Sequence, residues 1–275
     1  MGTYAIENQR FDIAALLLMN GAQVSAEQTQ HLERPEFELF LTGREESPLA
    51  QALKGHDIKF SEALYTISLK QGRNSTCHFL QDQVPALSTS ANLLIQASKL
   101  NNSEIVLALF AAQTSAAASP EMVIALKKTQ KTALTTAIHA QAWQTAIALV
   151  EQLDPEHLNE PLAGNNTFLI LASGHANFSI AFLTALFEKA GPKLLNHRVD
   201  MGDGVSQTAL SVAIQAGNIP VITFLIDRGA ILGPIAARKL LASELAKEAP
   251  QQNPEFIGLL RTKIPEPGAS TLTHS

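Results

Sequence analysis

Cys77 and His78 are adjacent, and they form the sharpest candidate for chemistry in this chain of 275 residues. A thiolate nucleophile needs a base that reaches it through space, and an imidazole that is next to it in sequence usually points elsewhere. No local signature of a cysteine-protease family surrounds the pair. The pair therefore favours an ordinary buried or loop cysteine over a catalytic dyad.

Other groups of reactive residues are equally unspecific. The eight histidines never fall at His-x-x-x-His spacing, and no Cys-x-x-Cys occurs, so neither pattern of a zinc site is present. The segment Gly202-Asp203-Gly204 lacks the Gly-x-x-x-x-Gly-Lys-Ser/Thr order of a phosphate loop and is typical of a turn. Glu45 and Glu46 are typical of solvated loop charge. We predict no catalytic residue, no metal site and no cofactor.

Composition narrows the class of protein. The chain is 46% hydrophobic but only 5% aromatic, so Ala and Leu must fill most of the core. A net charge of −5 argues against nonspecific nucleic-acid binding. No apolar run approaches the ~18 residues of a membrane span, and the N-terminus lacks the order of a secretory signal. The single cysteine fits a reducing compartment. We expect a soluble protein that neither binds nucleic acid nor inserts into a membrane.

The elements that would position these residues are recurring helix pairs, and the clearest copy spans residues 207–230. It begins with Thr208-Ala209-Leu210, continues through Ala213-Ile214 and the Gly217-Asn218 turn, and closes at Gly229-Ala230. These residues stand where an ankyrin repeat has its Thr-Pro-Leu start, its paired alanines, its mid-repeat turn and its closing glycine. The segment therefore resembles one ankyrin repeat. Such a repeat cannot bury its apolar face alone, so it implies neighbouring copies.

Further copies are recognisable with weaker motifs. Residues 4–22 match a repeat that lacks its start, and later copies open near Ser47, Asn92, Thr132 and Thr167. In the fourth copy Leu134, Ala137 and Ile138 lie at i, i+3 and i+4 and share one helical face. The initial Ser or Thr residues are typical helix N-caps, so the pattern predicts antiparallel helix pairs.

The copies are irregularly spaced. Their starts differ by about 45, 40, 35 and 41 residues, against about 33 in the ankyrin family. We predict that the additional residues include an added helix beginning at Ser119-Pro120. A HEAT-type solenoid, whose period is about 40–47 residues, is the alternative architecture.

The predicted fold is all-α: an ankyrin-type solenoid of about six irregular helix-pair repeats with a C-terminal capping helix. Residues 1–249 form the solenoid, whose first repeat is incomplete, so the natural chain is a candidate to extend upstream. The capping helix corresponds to 234–246. Residues 250–275 contain a further helix and a tail, rich in Pro, Gly, Ser and Thr, that we predict to be disordered.

The resemblance implies a monomeric protein that binds a protein partner without catalysing a reaction. Ankyrin repeats typically engage proteins through hairpin tips and the exposed ends of their first helices. Transferred position by position, the resemblance implies that the partner-binding residues are Lys54, Lys99, Lys128, Lys131, His139, His175, Gln207 and Gln215. The lysines are either ordinary solvated side chains or a site for an acidic partner surface.

Irregular arrays of this kind resemble those of secreted effectors of intracellular bacteria, which implies a host protein as partner and the host cytoplasm as location. Two alternative hypotheses assign the chain to enzymatic functions instead. The repeats could position a substrate for a larger enzyme whose catalytic domain lies outside this chain. An enzyme built from the segments inserted between the copies is the third hypothesis.

Overall fold

The computed structural model describes residues 58–175, 177–200, 206–232, 234–247 and 252–263. Regular structure in these ranges is almost entirely helical, which confirms the all-α prediction. The α-helices are α1 (Ile58–Lys70), α2 (Asn74–Gln83), α3 (Ala91–Lys99), α4 (Ser103–Ala116), α5 (Pro120–His139), α6 (Trp143–Gln152), α7 (Pro155–Asn159), α8 (Phe168–Ser173), α9 (Ile180–Ala190), α10 (Ala209–Gln215), α11 (Ile219–Asp227), α12 (Pro234–Leu245) and α13 (Pro254–Thr262).

The described strands are two residues long each. Strand β1 (Val199–Asp200) pairs antiparallel with β2 (Ser206–Gln207), with Val199 opposite Gln207. Short 3₁₀ segments lie at Pro85–Thr89, Ala163–Asn165 and Pro192–Leu194. The predicted first copy, the start of the second copy and the C-terminal tail lie outside the described residues. In the described ranges, no helix combines the length and the apolar character that a membrane crossing requires.

The chain divides into two compact units, Met1–Leu153 and Asp154–Ser275. In the first unit α1 and α2, α3 and α4, and α5 and α6 form consecutive helix pairs. The first helices of the pairs contact one another, α1 with α3 and α3 with α5, and the second helices do the same. The side chain of Gln113, near the end of α4, donates to the carbonyl of Ser90 at the start of α3 (3.0 Å), as antiparallel partners require. The described part of this unit is therefore two layers of side-by-side helices.

The core between these layers follows the predicted apolar stripes. Leu134, Ala137 and Ile138 are completely buried, and Leu94 and Ala97 hold the equivalent buried positions in α3. Alanine at buried positions of neighbouring helices allows their backbones to approach closely, which suits a close-packed core with few aromatic residues.

The second unit repeats this arrangement. Helix α8 contacts α10, α9 contacts α11, and α11 contacts α13, while α7 packs on α9. The approach of α8 to α10 is close, because a Cβ atom on Gly174 would lie 3.1 Å from the Val212 side chain. Thr208 caps α10 as predicted. Its hydroxyl accepts a hydrogen bond from the backbone N–H of Ser211 (3.1 Å), and the Ser211 hydroxyl accepts one from the backbone N–H of Thr208 (2.8 Å). The clearest copy in the sequence thus has a helix that begins after Thr208 and a turn at Gly217-Asn218 before the next helix, as predicted.

The helix predicted at 234–246 is present as α12, and a carboxylate fastens it to α13, which is the helix that contacts α11. Glu244 is only 3% exposed. Its two oxygens accept from the Lys247 ammonium group (2.6 Å) and from the backbone N–H of Asn253 (2.8 Å). These two hydrogen bonds, that of Lys247 first, lower the pKa of Glu244. Asn253 in turn caps α13, so one carboxylate fixes the start of the last described helix.

The fourth copy differs from the prediction. Ser119 caps α5 and Pro120 is its first residue, as expected. The helix does not stop before Thr132, however, but continues to His139 as one element. The Thr132 hydroxyl donates to the carbonyl of Lys128 (2.9 Å) instead of capping a new helix. Because residues 121–139 contain neither Gly nor Pro, nothing breaks the helix between the two segments.

Candidate functional site

The turns between first and second helices share one backbone geometry in four pairs. In each turn one residue has a positive φ, and the following N–H donates to the carbonyl five residues earlier, which is the Schellman arrangement that ends helices. The residues with positive φ are Gly72 (70°), Asn101 (57°), Gln141 (57°) and Gly217 (65°). The bonds are Arg73 to Ser68 (2.9 Å), Asn102 to Ala97 (3.3 Å), Ala142 to Ala137 (2.8 Å) and Asn218 to Ala213 (3.0 Å).

These turns line up where the helices lie side by side. We call residues 70–74, 99–103 and 139–143 the first turn edge, and residues 174–175 and 215–219 the second turn edge. Each edge belongs to one compact unit. Both consist of exposed helix ends and polar turn residues, which a partner can reach without any rearrangement of the core.

Asparagine side chains tie neighbouring turns together in the first turn edge. The Asn102 amide donates to the Asn74 side-chain oxygen (2.6 Å), which links the first described pair to the second. The backbone N–H of Thr145 donates to the Asn101 side chain (3.2 Å), which links the second pair to the third. The turns are therefore held relative to one another by side chains as well as by the core beneath them.

The second turn edge contains the same device. The Asn218 amide donates to the backbone carbonyl of His175 (3.2 Å), while its side-chain oxygen accepts from the N–H of Val221 (3.4 Å). One residue thus caps α11 and fastens it to the preceding turn.

Glu104 collects two donors beside the first turn edge. Its carboxylate accepts from the Asn74 amide (2.6 Å), and His78 Nε2 lies 3.0 Å from its other oxygen. The hydrogen bond from Asn74, and after it the interaction with His78, lower the pKa of Glu104. All three side chains are reachable from solvent, so the cluster can exchange hydrogen bonds with a bound molecule.

A shallow open cleft of about 380 Å³ runs along this edge. Its lining combines apolar side chains with amide, hydroxyl, ammonium and carboxylate groups. The lining residues are Leu69, Lys70, Gly72, Asn74, Leu100, Asn101, Asn102, Ser103 and Glu104. Within the part of the chain that the structure describes, no three His, Cys, Asp or Glu side chains converge as metal ligands.

Three of the predicted binding residues occupy equivalent places. Lys99, His139 and Gln215 are the last residues of α3, α5 and α10, and each is exposed. Because α3 and α5 lie side by side and end at linked turns, Lys99 and His139 belong to one surface, the first turn edge. His175 and Gln207, on the second unit, are half-buried. Lys54 lies outside the described residues.

The remaining lysines are not at the hairpin tip where the repeat pattern placed them. Lys128 and Lys131 lie inside α5, because that helix is continuous. Lys128 precedes His139 by eleven residues, which is about 16 Å of helix. Lys128 therefore lies toward the opposite end of the first-helix layer from Lys99. Lys131 is half-buried.

Cys77, the sharpest chemical candidate in the sequence, is a buried free cysteine, as predicted. Its thiol contacts the backbone carbonyl of Tyr65 (3.9 Å), whereas the ring of His78 turns to Glu104. The Asn74–Glu104–His78 cluster was missed by the sequence analysis. Glu104 lies 30 residues from Asn74 and 26 from His78 along the chain, and only the repetition of asparagine at the turns hinted at the cluster.

Comparison with known protein families, with curated proteins and with solved structures yields no match to this chain.

Proposed function

We propose that this chain is a protein-interaction scaffold of the ankyrin type that binds a protein partner and catalyses no reaction. The observation that carries the proposal is the recurrence of one turn geometry in four helix pairs, with asparagine side chains bonding successive turns. Within each unit, turns that share one backbone geometry and are joined by side-chain hydrogen bonds form a preorganised surface, and such a surface loses little entropy on binding.

The first turn edge is the surface on which the proposal rests most firmly. Lys70 and Lys99 are exposed at its rim, and the His139 ring lies in the same row. The side chains of Asn74 and Asn102 line the cleft on this edge, as Lys70 does. The two ammonium groups favour a partner with acidic side chains, and the amides supply directional hydrogen bonds that set its register.

Site-specific photocrosslinking tests this proposal. A photoreactive amino acid would replace Lys99 or His139, with Gln152 as the matched control. Gln152 is equally exposed but ends α6, at the opposite end of that helix from the turn edge. In lysate we expect one protein to be crosslinked from both turn-edge positions and not from Gln152. Equal capture from all three positions, or capture from none, would contradict the proposal.

The identity of the captured protein separates the finer proposals. Capture of a host-cell protein that is not chemically modified supports the effector role, because the irregular repeats resemble those of secreted effectors. A protein that is chemically modified when the natural full-length gene product is present supports the alternative, in which the repeats position a substrate for a catalytic domain outside this chain.

A further inference from the structure

Arg228, at the C-terminal end of α11, lies against aromatic rings from two helices. The central carbon of its guanidinium group is 4.6 Å from the centroid of the Phe224 ring and 5.0 Å from that of the Phe187 ring. Phe224 belongs to α11, whereas Phe187 belongs to the neighbouring helix α9. Both distances are within the range over which a ring face attracts a cation. The two rings therefore restrict the positions that this exposed side chain can adopt.

The N–H groups of Arg228 remain available to a partner. A guanidinium has five N–H donors in its plane, and contact with a ring face uses none of them. In the described part of the chain, this guanidinium takes part in no hydrogen bond and no ion pair. Asp227 and Glu188 are next in sequence to Arg228 and Phe187, yet neither carboxylate pairs with it. The group is therefore positioned by the rings while its donors are unused.

A row of partly exposed side chains on α9 leads to these rings. Ile180, Thr184 and Phe187 lie at i, i+4 and i+7, so they share one face of the helix. Ile180 is 40% exposed, and the other two side chains are half-buried. This face borders α11, because Phe187 contacts Arg228. A bound segment can therefore contact apolar side chains and the guanidinium at the same time.

We propose that Arg228 anchors a second protein-contact site, where it binds the carboxylate of an acidic side chain of a partner protein. Two parallel N–H groups of a guanidinium match the two oxygens of a carboxylate, and apolar side chains of the partner pack on Ile180 and Phe187. Arginine and aromatic residues are enriched in protein interfaces. The site belongs to the second compact unit, so the inference goes beyond the first turn edge and does not depend on it.

The neighbouring charges favour a carboxylate over a phosphate group. Asp227 and Glu188 are exposed, so water and salt screen their repulsion of a bound monoanion. Glu188 also lies about 100° around α9 from Phe187, away from the row of apolar side chains. A phosphate group carries up to about twice the charge of a carboxylate. The adjacent cation Lys189 already makes an interaction of its own, which leaves one guanidinium for one carboxylate.

Selection of short random peptides from a displayed library on the intact chain tests the inference. We expect a class of enriched peptides that contain Asp or Glu next to apolar residues. Their affinity should fall about tenfold or more for Arg228→Gln, because a charge-assisted hydrogen-bonded pair is lost. Arg228→Lys should also weaken binding, since an ammonium group cannot reproduce the two parallel donors. Arg261→Gln, which changes an exposed arginine in the last turn of α13, is the matched control and should bind as the parent chain does.

Two further variants separate a binding role for Arg228 from a purely structural one. Asp227→Asn removes a screened repulsion, so it should strengthen peptide binding about two- to fivefold. Phe187→Leu removes one of the two rings and leaves every donor in place, so it should weaken binding if the rings position the guanidinium. A contact that only joins α9 to α11 would change thermal stability in these variants and leave peptide affinity unaltered.

Other results would overturn the inference. It is wrong if no enriched peptide depends on Arg228, or if the library yields no binders. Basic peptides that are weakened by Asp227→Asn would show that the carboxylates of this surface are the anchor instead. Stronger competition by inorganic phosphate than by acetate would contradict the assignment to a carboxylate. Circular dichroism and thermal unfolding verify that Arg228→Gln is folded, and Arg228→Lys takes its place if it is not.

The two proposals can fail separately. If crosslinks from Lys99 and His139 identify a partner while no peptide depends on Arg228, only the second contact site is lost. If crosslinking from the first turn edge fails while the peptides depend on Arg228 and still bind Lys99→Glu, the scaffold function moves to the second unit.

Discussion

At the residue scale, Glu104 shows how the repeats bring distant polar groups together. Its pKa is lowered by Asn74 and His78. Asn74→Ala should therefore raise the Glu104 pKa toward its ordinary value, as measured by NMR titration of the side-chain carboxyl carbon. Glu121 is the internal control, because its pKa is lowered by its own backbone N–H and by Ser119. A Glu104 pKa that does not respond to Asn74→Ala would show that the cluster does not persist in solution.

The lowered pKa of Glu104 also determines the direction in which pH changes the stability of the fold. Because the folded-state pKa of Glu104 lies below its unfolded value near 4.5, its contribution to stability is present above that pH and is lost as pH falls through the folded pKa. The difference in unfolding free energy between the parent and Glu104→Gln should therefore shrink below about pH 4.5.

Cys77 supports a third prediction at this scale. Its side chain is fully buried, and reactive thiols are normally accessible and lie near positive charge. We expect a maleimide reagent to label Cys77 slowly in the native protein and rapidly in denaturant, as followed by intact-mass spectrometry. Rapid labelling in native buffer would instead support the hypothesis of an enzyme built from the inserted segments.

At the element scale, the turn between α5 and α6 contains a residue that the backbone disfavours. Gln141 has a φ of 57°, where the equivalent turns have Gly72 and Gly217. A side chain in this conformation costs roughly 1–2 kcal/mol, while glycine loses more entropy on folding. We therefore expect Gln141→Gly to raise the unfolding free energy by about 0.5–1 kcal/mol in urea denaturation.

Asn101 provides the contrast, because it has the same φ but also accepts from the Thr145 N–H. Asn101→Gly should relieve less strain, because asparagine tolerates a positive φ better than glutamine does, and it should also lose that hydrogen bond, so its gain should be smaller or reversed. Equal stabilisation by the two substitutions would mean that the bond between turns contributes nothing.

How far the elements could be predicted depended on whether the signal was local. The caps at Thr167 and Thr208 were predictable because a capping hydroxyl acts within three residues of itself. Thr132 was ambiguous, because a threonine hydroxyl can also donate to the carbonyl four residues earlier inside a helix. The turn edge could be predicted only in part. The pattern placed Lys99, His139 and Gln215 at helix ends, but the bonds between asparagines depend on the spacing of neighbouring turns.

At the scale of the whole molecule, the chain is two compact units, each with its own buried apolar core. In both, first helices contact first helices and second helices contact second helices. This layering follows from the recurrence of apolar faces, because each helix pair can bury its stripe only against another pair. The unequal lengths of α3 and α5 could not be predicted from the repeat pattern, because they depend on one helix running without a break through Thr132.

The layered architecture predicts which helices a destabilising substitution should affect. In stacked helix pairs stability is approximately a sum of local terms and contacts between neighbours, so a defect should be felt most by adjacent pairs. Ala213 is completely buried in α10, which contacts α8 and α11. Ala213→Phe should overpack this contact and cost about 1–3 kcal/mol. Hydrogen exchange should accelerate in α8, α10 and α11, with much smaller changes in α3 to α6.

Ala137→Phe, at the buried equivalent position in α5, should give the reverse pattern. Uniform acceleration through both units by either variant would show that the chain unfolds as a single cooperative body and that the description by neighbouring pairs is wrong.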